Sequence, residues 1–278
     1  MPATSLGMPG VAVPAVGGVA ADAASAHHDE LQAVRAGTVA RLHSWELVTA
    51  VDGPGTRLTL FLSGCLLRCQ YCHNPDTWKM HDGALTSLED LLERIRRYQG
   101  IFTASGGGVT LSGGEPLMQP AVVARLLAEC RSLGVHTALD TSGYLGNRAS
   151  DALLDNVDLV LLDVKSGLPD TYRAVTGREL APTIAFGDRL AARGIPVWVR
   201  FVLVPGLTDA VENVAAVAEI VSRWPNVQRV EVLPFHQMGE SKWDRLGIRY
   251  PLHGVTPPDA ALQDRVRAQF QDRGLTVF

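Results

Sequence analysis

Long apolar runs are missing from this chain. No stretch approaches the roughly eighteen consecutive apolar residues that a spanning helix needs, which excludes a helical membrane protein read from sequence. Excess charge of one sign is missing too. The net charge is −4, so no broad basic field argues for nucleic acid. Cysteines are few, four in 278 residues, and three of them are clustered. That excludes a disulfide framework and fits a reducing, cytoplasmic compartment. No Ser-His-Asp arrangement for nucleophilic catalysis can be named. The first residues, Met1 to about Gly37, are Ala/Gly/Val/Pro-rich with few large side chains. They lack a basic segment followed by a clean apolar one, so no signal peptide is expected. We expect a disordered extension over 1–38, whose removal leaves the domain intact, and a single domain over 39–278. The His27-His28 pair in the extension reads as incidental.

What is present is concentrated at Gly64–Trp78. Cys65-x-x-x-Cys69-x-x-Cys72 places three thiols on one short loop. Thiolates at such spacing suit a soft metal or an iron–sulfur cluster. A structural zinc site would usually offer a fourth Cys or His in a paired pattern. His73 could serve as that fourth ligand, and free thiols are a further alternative. Three ligands on a four-iron cluster would leave one iron open to a substrate. Cys130, on an apolar helical stretch, reads as a small buried hydrophobe.

The rest of the chain alternates strand and helix. Strands are expected at Thr56–Leu62, Val109–Leu111, Val135–Asp140, Leu159–Val164, Val197–Val204 and Val227–Leu233. Helices are expected from Ser87 to about Tyr98, Pro120–Leu133, Ser150–Asn156, Thr183–Arg193, Asp209 to Trp224 and Asp259–Arg273. Ser87, with Asp90 three residues on, reads as an N-cap. Several strands are apolar throughout, as in parallel sheets buried on both faces. Six units are too few for a closed eight-unit barrel, so the expected architecture is α/β, a partial parallel (β/α)6 barrel. Polar residues gather just after strand ends: Glu115, Asp140, Lys165 and His236. In barrels chemistry sits at that face. Each residue has a plainer reading: Gly113-Gly114 as a turn, Glu115 and Lys165 as surface charges, His236 as a satisfied structural histidine. Asp163 is harder to dismiss, because an idle carboxylate in an apolar strand is costly.

The cysteine spacing with Tyr71 before the last cysteine resembles the radical S-adenosylmethionine (SAM) superfamily. The wider run is similar to the activating enzymes of glycyl-radical enzymes: His43-Ser44-Trp45-Glu46, Val51-Asp52-Gly53-Pro54-Gly55-Thr56-Arg57, Phe61, Gly64-Cys65 and Tyr71-Cys72-His73-Asn74-Pro75-Asp76-Thr77-Trp78. The resemblance extends from about Arg41 to Phe278. It implies a 4Fe-4S cluster on Cys65, Cys69 and Cys72, and SAM bound by Tyr71, Cys72, His73, Gly113, Gly114, Glu115, Asp163, Val164, Lys165 and His236. Backbone at Gly113-Gly114 and the Glu115 carboxylate would meet the SAM ammonium, and Lys165 its carboxylate. Asp52 would be available to a basic residue of a protein partner, and Arg200, a second polar residue in an apolar strand, is the other candidate for partner binding. A monovalent cation is expected near Asp140, Thr141 and Asp163. No cysteine falls between Cys72 and Cys130, so no extra cluster is indicated. Within that family this points to pyruvate formate-lyase as the glycyl-radical partner. A flavodoxin or ferredoxin is implied as electron donor. An activator of another glycyl-radical enzyme and a small-molecule radical SAM enzyme are the alternatives.

Overall fold

The computed structural model describes residues 28–49 and 51–278. One eight-stranded sheet runs through it in the order β3-β1-β2-β4-β5-β6-β7-β8. The strands are β1 (Val39–Thr49), β2 (Thr56–Leu62), β3 (Ala84–Ser87), β4 (Gly108–Gly113), β5 (His136–Thr141), β6 (Leu159–Asp163), β7 (Val197–Leu203) and β8 (Val227–Pro234). From β2 to β8 every neighbouring pair is parallel. These are the six strands expected from sequence. β1 and β3 are antiparallel additions beside β2. Since β3 and β8 are the two ends of the strand order, the sheet curls without closing, as a partial barrel.

Period two along each strand explains both the core and the site. Leu58, Leu60 and Leu62 of β2, Val109 and Leu111 of β4, Val160 and Leu162 of β6, and Val199 and Phe201 of β7 belong to one large apolar core. That core is shared with α2 (Leu88–Ser105), α3 (Pro120–Ser132), α6 (Ala181–Arg193) and α7 (Val211–Ser222). The alternate positions carry Arg57, Thr59 and Phe61; Thr110 and Ser112; Asp140; Asp163; Arg200; and Glu231. A small separate cluster of Ala138, Leu159, Leu161 and Trp198 also lies at these alternate positions. The remaining helices are α1 (28–36), α4 (Asp151–Leu154), α5 (Pro169–Thr176), α8 (Glu240–Arg245) and α9 (Ala260–Gln271).

One N-cap follows the sequence reading, and the structure adds a second. Ser87 accepts the Asp90 amide at the start of α2, and Asp259 accepts that of Leu262 at the start of α9. α2 runs to Ser105, beyond the expected end at Tyr98. Asp209 does not cap α7; its side chain accepts the Gly206 amide instead, and Ala210 takes the cap position.

The expected extension over 1–38 requires correction. Residues 1–27, His27 included, lie outside the described residues, but 28–36 form α1. The composition changes there from Gly and Pro to Glu, Leu, Gln and Ala, good helix formers. Glu30 pairs with Arg41, Arg125 donates to the Ala36 carbonyl, and Gly37 turns at φ +67 with its backbone against Ala121. The packed chain therefore begins before residue 39.

Candidate active site

Hydrogen bonds from elsewhere in the chain stitch the cysteine loop in place. The Gly64 amide donates to Thr77 O at 2.7 Å and that of Cys65 to Trp78 O at 3.1 Å. Arg68 N and Gln70 N donate to Thr176 O and Val175 O at the end of α5. The Trp243 indole of α8 donates to Cys72 O at 2.9 Å, and Lys242 reaches Asn74 (2.7 Å) and Asp76 (3.1 Å). Trp78 packs edge-on against Trp243 with ring centroids 5.0 Å apart. The His73–Trp78 segment thus holds the loop rather than a ligand through Asn74, Asp76 and Trp78.

Gly113 and Gly114 are required by the loop as well. A Cβ on Gly113, at φ +126, would sit 2.2 Å from the Leu62 backbone. One on Gly114 would lie 2.5 Å from Gly64 O and 3.1 Å from the Cys65 Cβ. The two glycines let the end of β4 press against the start of the cysteine loop.

A cavity of about 510 Å³ opens beside the loop, within the range of small-molecule sites. Cys65, Cys69, Tyr71, Cys72, His73, Gly113, Gly114, Asp140, Thr141, Asp163, Lys165, Arg200, His236 and Asp52 all line it. Two residues expected to bind cofactor do not. Glu115 is buried behind the wall, where its carboxylate accepts the Thr141 hydroxyl (2.6 Å), the Ser142 hydroxyl (2.6 Å) and amide (3.1 Å), and the Leu117 amide (3.2 Å). It ties the ends of β4 and β5 together. Burial still raises its pKa against those hydrogen bonds. Val164 is fully buried in the core, its amide donating to Arg200 O.

Charge in the cavity is arranged around two cations. Lys165 Nζ lies 2.7 Å from Asp163 and 5.6 Å from the centroid of the Tyr71 ring. Burial, the largest influence, opposes its charge, but Asp163, Tyr71 and Cys69 together outweigh it and hold the ammonium above its ordinary pKa. Arg200 is the second centre. It lies 3.2 Å from Asp52, 3.4 Å from Asp140 and 3.2 Å from Glu231, and donates to Val51 O at 2.7 Å. Burial pushes Asp140 up to about 6, despite Arg200 and a hydrogen bond from Ser112. Asp52 is accordingly not a free carboxylate. Thr59 and Arg200 both reach it.

Sequence reading missed Arg57. It is fully buried, donates to Thr110 Oγ1 at 2.6 Å and to Pro54 O at 3.3 Å, and lies under Gly53, where a Cβ would meet its Cδ at 2.8 Å. Thr110 in turn donates to Asp52 O at 2.7 Å. The Asp52–Gly55 turn is therefore anchored inside the sheet. Burial lowers the Arg57 pKa to about 10, which still leaves it charged near neutrality. Glu231 was missed likewise. Arg57 was signalled as the one charged residue of its strand, whereas β8 carries Gln228 and Arg229 beside Glu231 and gave no such signal.

The cavity suits a cysteine-bound cluster and a polar ligand. Three thiols share its wall, and burial raises them, Cys69 to about 12. Such thiols ionise when a metal takes them. Among the described residues no group of three or more His, Cys, Asp or Glu could hold a single metal ion. His73, the possible fourth zinc ligand, is exposed and packs on His236, with ring centroids 4.2 Å apart. Tyr71 Oη and His236 Nδ1 are buried with no hydrogen-bond partner among the described residues, as polar atoms of a ligand site are when the ligand is absent.

Comparison with known proteins agrees with this reading. The radical SAM superfamily profile matches residues 59–218. The chain belongs to the radical SAM superfamily, whose members hold a 4Fe-4S cluster on cysteines and use SAM. Within it, the chain is a member of the pyruvate formate-lyase-activating enzyme family. It is 43% identical over 225 residues to the pyruvate formate-lyase-activating enzyme of Listeria monocytogenes (79% of this chain, 91% of that one). It is 39% identical over 242 residues to the pyruvate formate-lyase 1-activating enzyme of Escherichia coli K12 (86% and 98%). Among solved structures, a domain of the pyruvate-formate lyase-activating enzyme of Bacteroides vulgatus superposes with TM-score 0.52 at 25% identity, covering 62% of this chain and 98% of that one. Streptococcus suis SuiB bound to its precursor peptide SuiA superposes with TM-score 0.60 at 14% identity, covering 99% of this chain and 56% of that one. The SuiB likeness speaks for the fold alone.

Proposed function

We propose that this chain activates pyruvate formate-lyase by making a glycyl radical on it. The observation that carries the reading is the single cavity on which the three loop cysteines, Lys165, His236 and the Asp52–Arg200 pair all meet. Cys65, Cys69 and Cys72 would hold the cluster, and SAM would lie against Tyr71, His73, Gly113, Gly114, Asp163, Lys165 and His236. When bound, the cluster and SAM would supply hydrogen-atom abstraction: one electron and SAM would give methionine and 5′-deoxyadenosine, and the partner's glycine would lose its α-hydrogen to become a glycyl radical. The chain's own task is to position and shield.

Lys165 offers a compact positive charge to the SAM carboxylate. Asp163 keeps that ammonium charged and aimed. Backbone at Gly113-Gly114 is available to the SAM ammonium. Asp52 remains the candidate contact for a basic residue of the partner, with Arg200 beside it. An incoming cation must share Asp52 with Arg200 or displace it. Asp140, Thr141 and Asp163 belong to the proposal as a monovalent-cation site, since their oxygens stand on adjacent strand ends of the wall. The electron would come from a flavodoxin or ferredoxin, in the cytoplasm. Among the described residues no helix is long and apolar enough to cross a membrane.

The test is anaerobic mixing of the reconstituted protein with pyruvate formate-lyase, SAM and a reductant, followed by electron paramagnetic resonance. A glycyl radical is expected on the lyase. A lyase that stays silent, while another glycyl-radical enzyme acquires the signal, would reassign the partner.

A further inference from the structure

The cavity described above is one side of the cysteine loop. On its other side lies a second cleft of about 530 Å³, with Leu66, Tyr144, Pro182 and Phe186 among its walls. Leu66 is the residue after the first cluster cysteine. The carbonyls of Cys65, Leu66 and Leu67 are all held by guanidinium groups. Arg68 donates to Cys65 O at 2.8 Å and Leu67 O at 2.7 Å, and Arg178 donates to Leu66 O at 2.9 Å. Arg68 is braced further by stacking on Trp78, 4.7 Å from the ring centroid.

Arg68 and Arg178 are exposed, as is Arg148, which follows Asn147 of the cleft wall. Among the described residues none of the three has a carboxylate within ion-pair distance. The neighbouring carboxylates are engaged elsewhere: Glu179 and Asp170 by Arg173, Asp151 by Arg189 and Arg193, and Asp155 by Arg193. The result is an apolar cleft with a basic rim whose charge is not neutralised within the chain. One of its walls, Leu66, belongs to the cluster loop itself.

We propose that this face receives the electron donor, a low-potential one-electron carrier protein with an acidic surface around its redox group. The proposal rests on the activating function above and adds a place to it. That function needs the target glycine inside the cavity, so the carrier must approach from another side. Here a guanidinium is one hydrogen bond from the carbonyl of Cys65. In the step itself one electron passes from the reduced carrier to the oxidised cluster; the carrier is oxidised by one electron, the cluster is reduced by one, and no atom is transferred. Opposite charge speeds encounter and orients the pair, and salt screens both effects.

The experiment uses the reconstituted holoprotein with a purified acidic flavodoxin as probe. Binding is titrated at low and raised salt, and cluster reduction by the flavodoxin hydroquinone is followed by stopped flow. Binding to the unmodified protein is expected to weaken as salt rises. Arg148, whose side chain makes no hydrogen bond to the loop among the described residues, is changed in Arg148→Glu, and Arg68→Glu and Arg178→Glu reverse the other two charges. Each is expected to weaken binding and slow reduction by about tenfold. Arg178→Lys is expected to restore most of the loss. Iron content and the spectrum after dithionite reduction should not change in Arg148→Glu. Failure of flavodoxin to bind the unmodified protein would overturn the proposal. So would Arg148→Glu and Arg178→Glu proteins that bind and are reduced as the unmodified protein is. Holoprotein that dithionite reduces but that leaves SAM intact would instead overturn the function on which the proposal rests.

Discussion

Replacing Arg200 with Met tests the polar centre of the barrel. Among the described residues the guanidinium is the one cation common to Asp52, Asp140 and Glu231, each within 3.4 Å of it. Without it Glu231 keeps Arg229, Asp140 keeps Ser112 and Asp52 keeps Thr59, but three carboxylates face one another with little solvent. Removing one partner of a buried ion pair costs about 3–5 kcal/mol. For a domain of this size each kcal/mol is worth about 2–4 °C, so Tm should fall by about 6–20 °C. The deficit should depend on pH, and its sign follows from Asp140. Its folded pKa, about 6, is above its ordinary value. A raised carboxylate contributes stability that is complete below the unfolded pKa and is lost as pH rises through the folded one. Loss of Arg200 raises Asp140 further, so the variant keeps the proton to higher pH. The gap between variant and wild type should be widest near about pH 8 and narrow toward about pH 5.5. Scanning calorimetry of the two proteins across that range is the assay. A deficit of less than about 2 °C, or one equal at both ends, would refute the argument that Arg200 compensates ionised carboxylates.

Cys65→Ala, Cys69→Ala and Cys72→Ala should each lose the iron–sulfur chromophore, while Cys130→Ala, in the core beyond the sheet, should keep it; iron and sulfide analysis decides. Lys165→Ala should weaken SAM binding by about tenfold to a hundredfold, the worth of a charged hydrogen bond, measured by equilibrium binding; unchanged affinity would remove Lys165 from the cofactor site. Asp52→Ala should retain SAM cleavage without partner but lose radical formation on the partner, and loss of both would move the turn into the cofactor pocket. Gly113→Ala drives a Cβ into the Leu62 backbone at 2.2 Å, so soluble yield and cluster content should both fall. Deletion through Gly37 should lower Tm by a few degrees, because it removes the Glu30 and Ala36 contacts; deletion through residue 27 leaves those contacts in place, and equal Tm values for the two truncations would show that α1 contributes nothing.

The parallel strands and the cysteine loop were legible because each depends on local signals. Apolar β-branched runs end in glycine, and three thiols share one short loop. β1 was not legible: Val39–Thr49 mixes Arg41, His43 and Glu46 with apolar residues, and its identity as a strand comes from pairing with β2 and β3. Glu115 illustrates a different limit. Its position after a strand suggested a ligand, but only the fold brings Thr141 and Ser142, far along the chain, onto both of its oxygens. Asp52 and Arg200 were each singled out, yet their separation of 148 residues hid the fact that they meet each other. Arg57 lay in plain sight beside the Asp52–Gly55 turn. Its place at alternate spacing with Thr59 and Phe61 marks the inner face of the barrel, a period that attention to strand ends passed over.

The claim that the chain removes a hydrogen atom from its partner's glycine is tested most directly by labelling that glycine. Pyruvate formate-lyase carrying α-deuterated glycine is mixed anaerobically with the holoprotein, SAM and reductant, and the 5′-deoxyadenosine is analysed by mass spectrometry. The account predicts deuterium in the 5′-deoxyadenosine, in step with the glycyl radical signal. Release of 5′-deoxyadenosine without deuterium, and with no radical on the lyase, would contradict it.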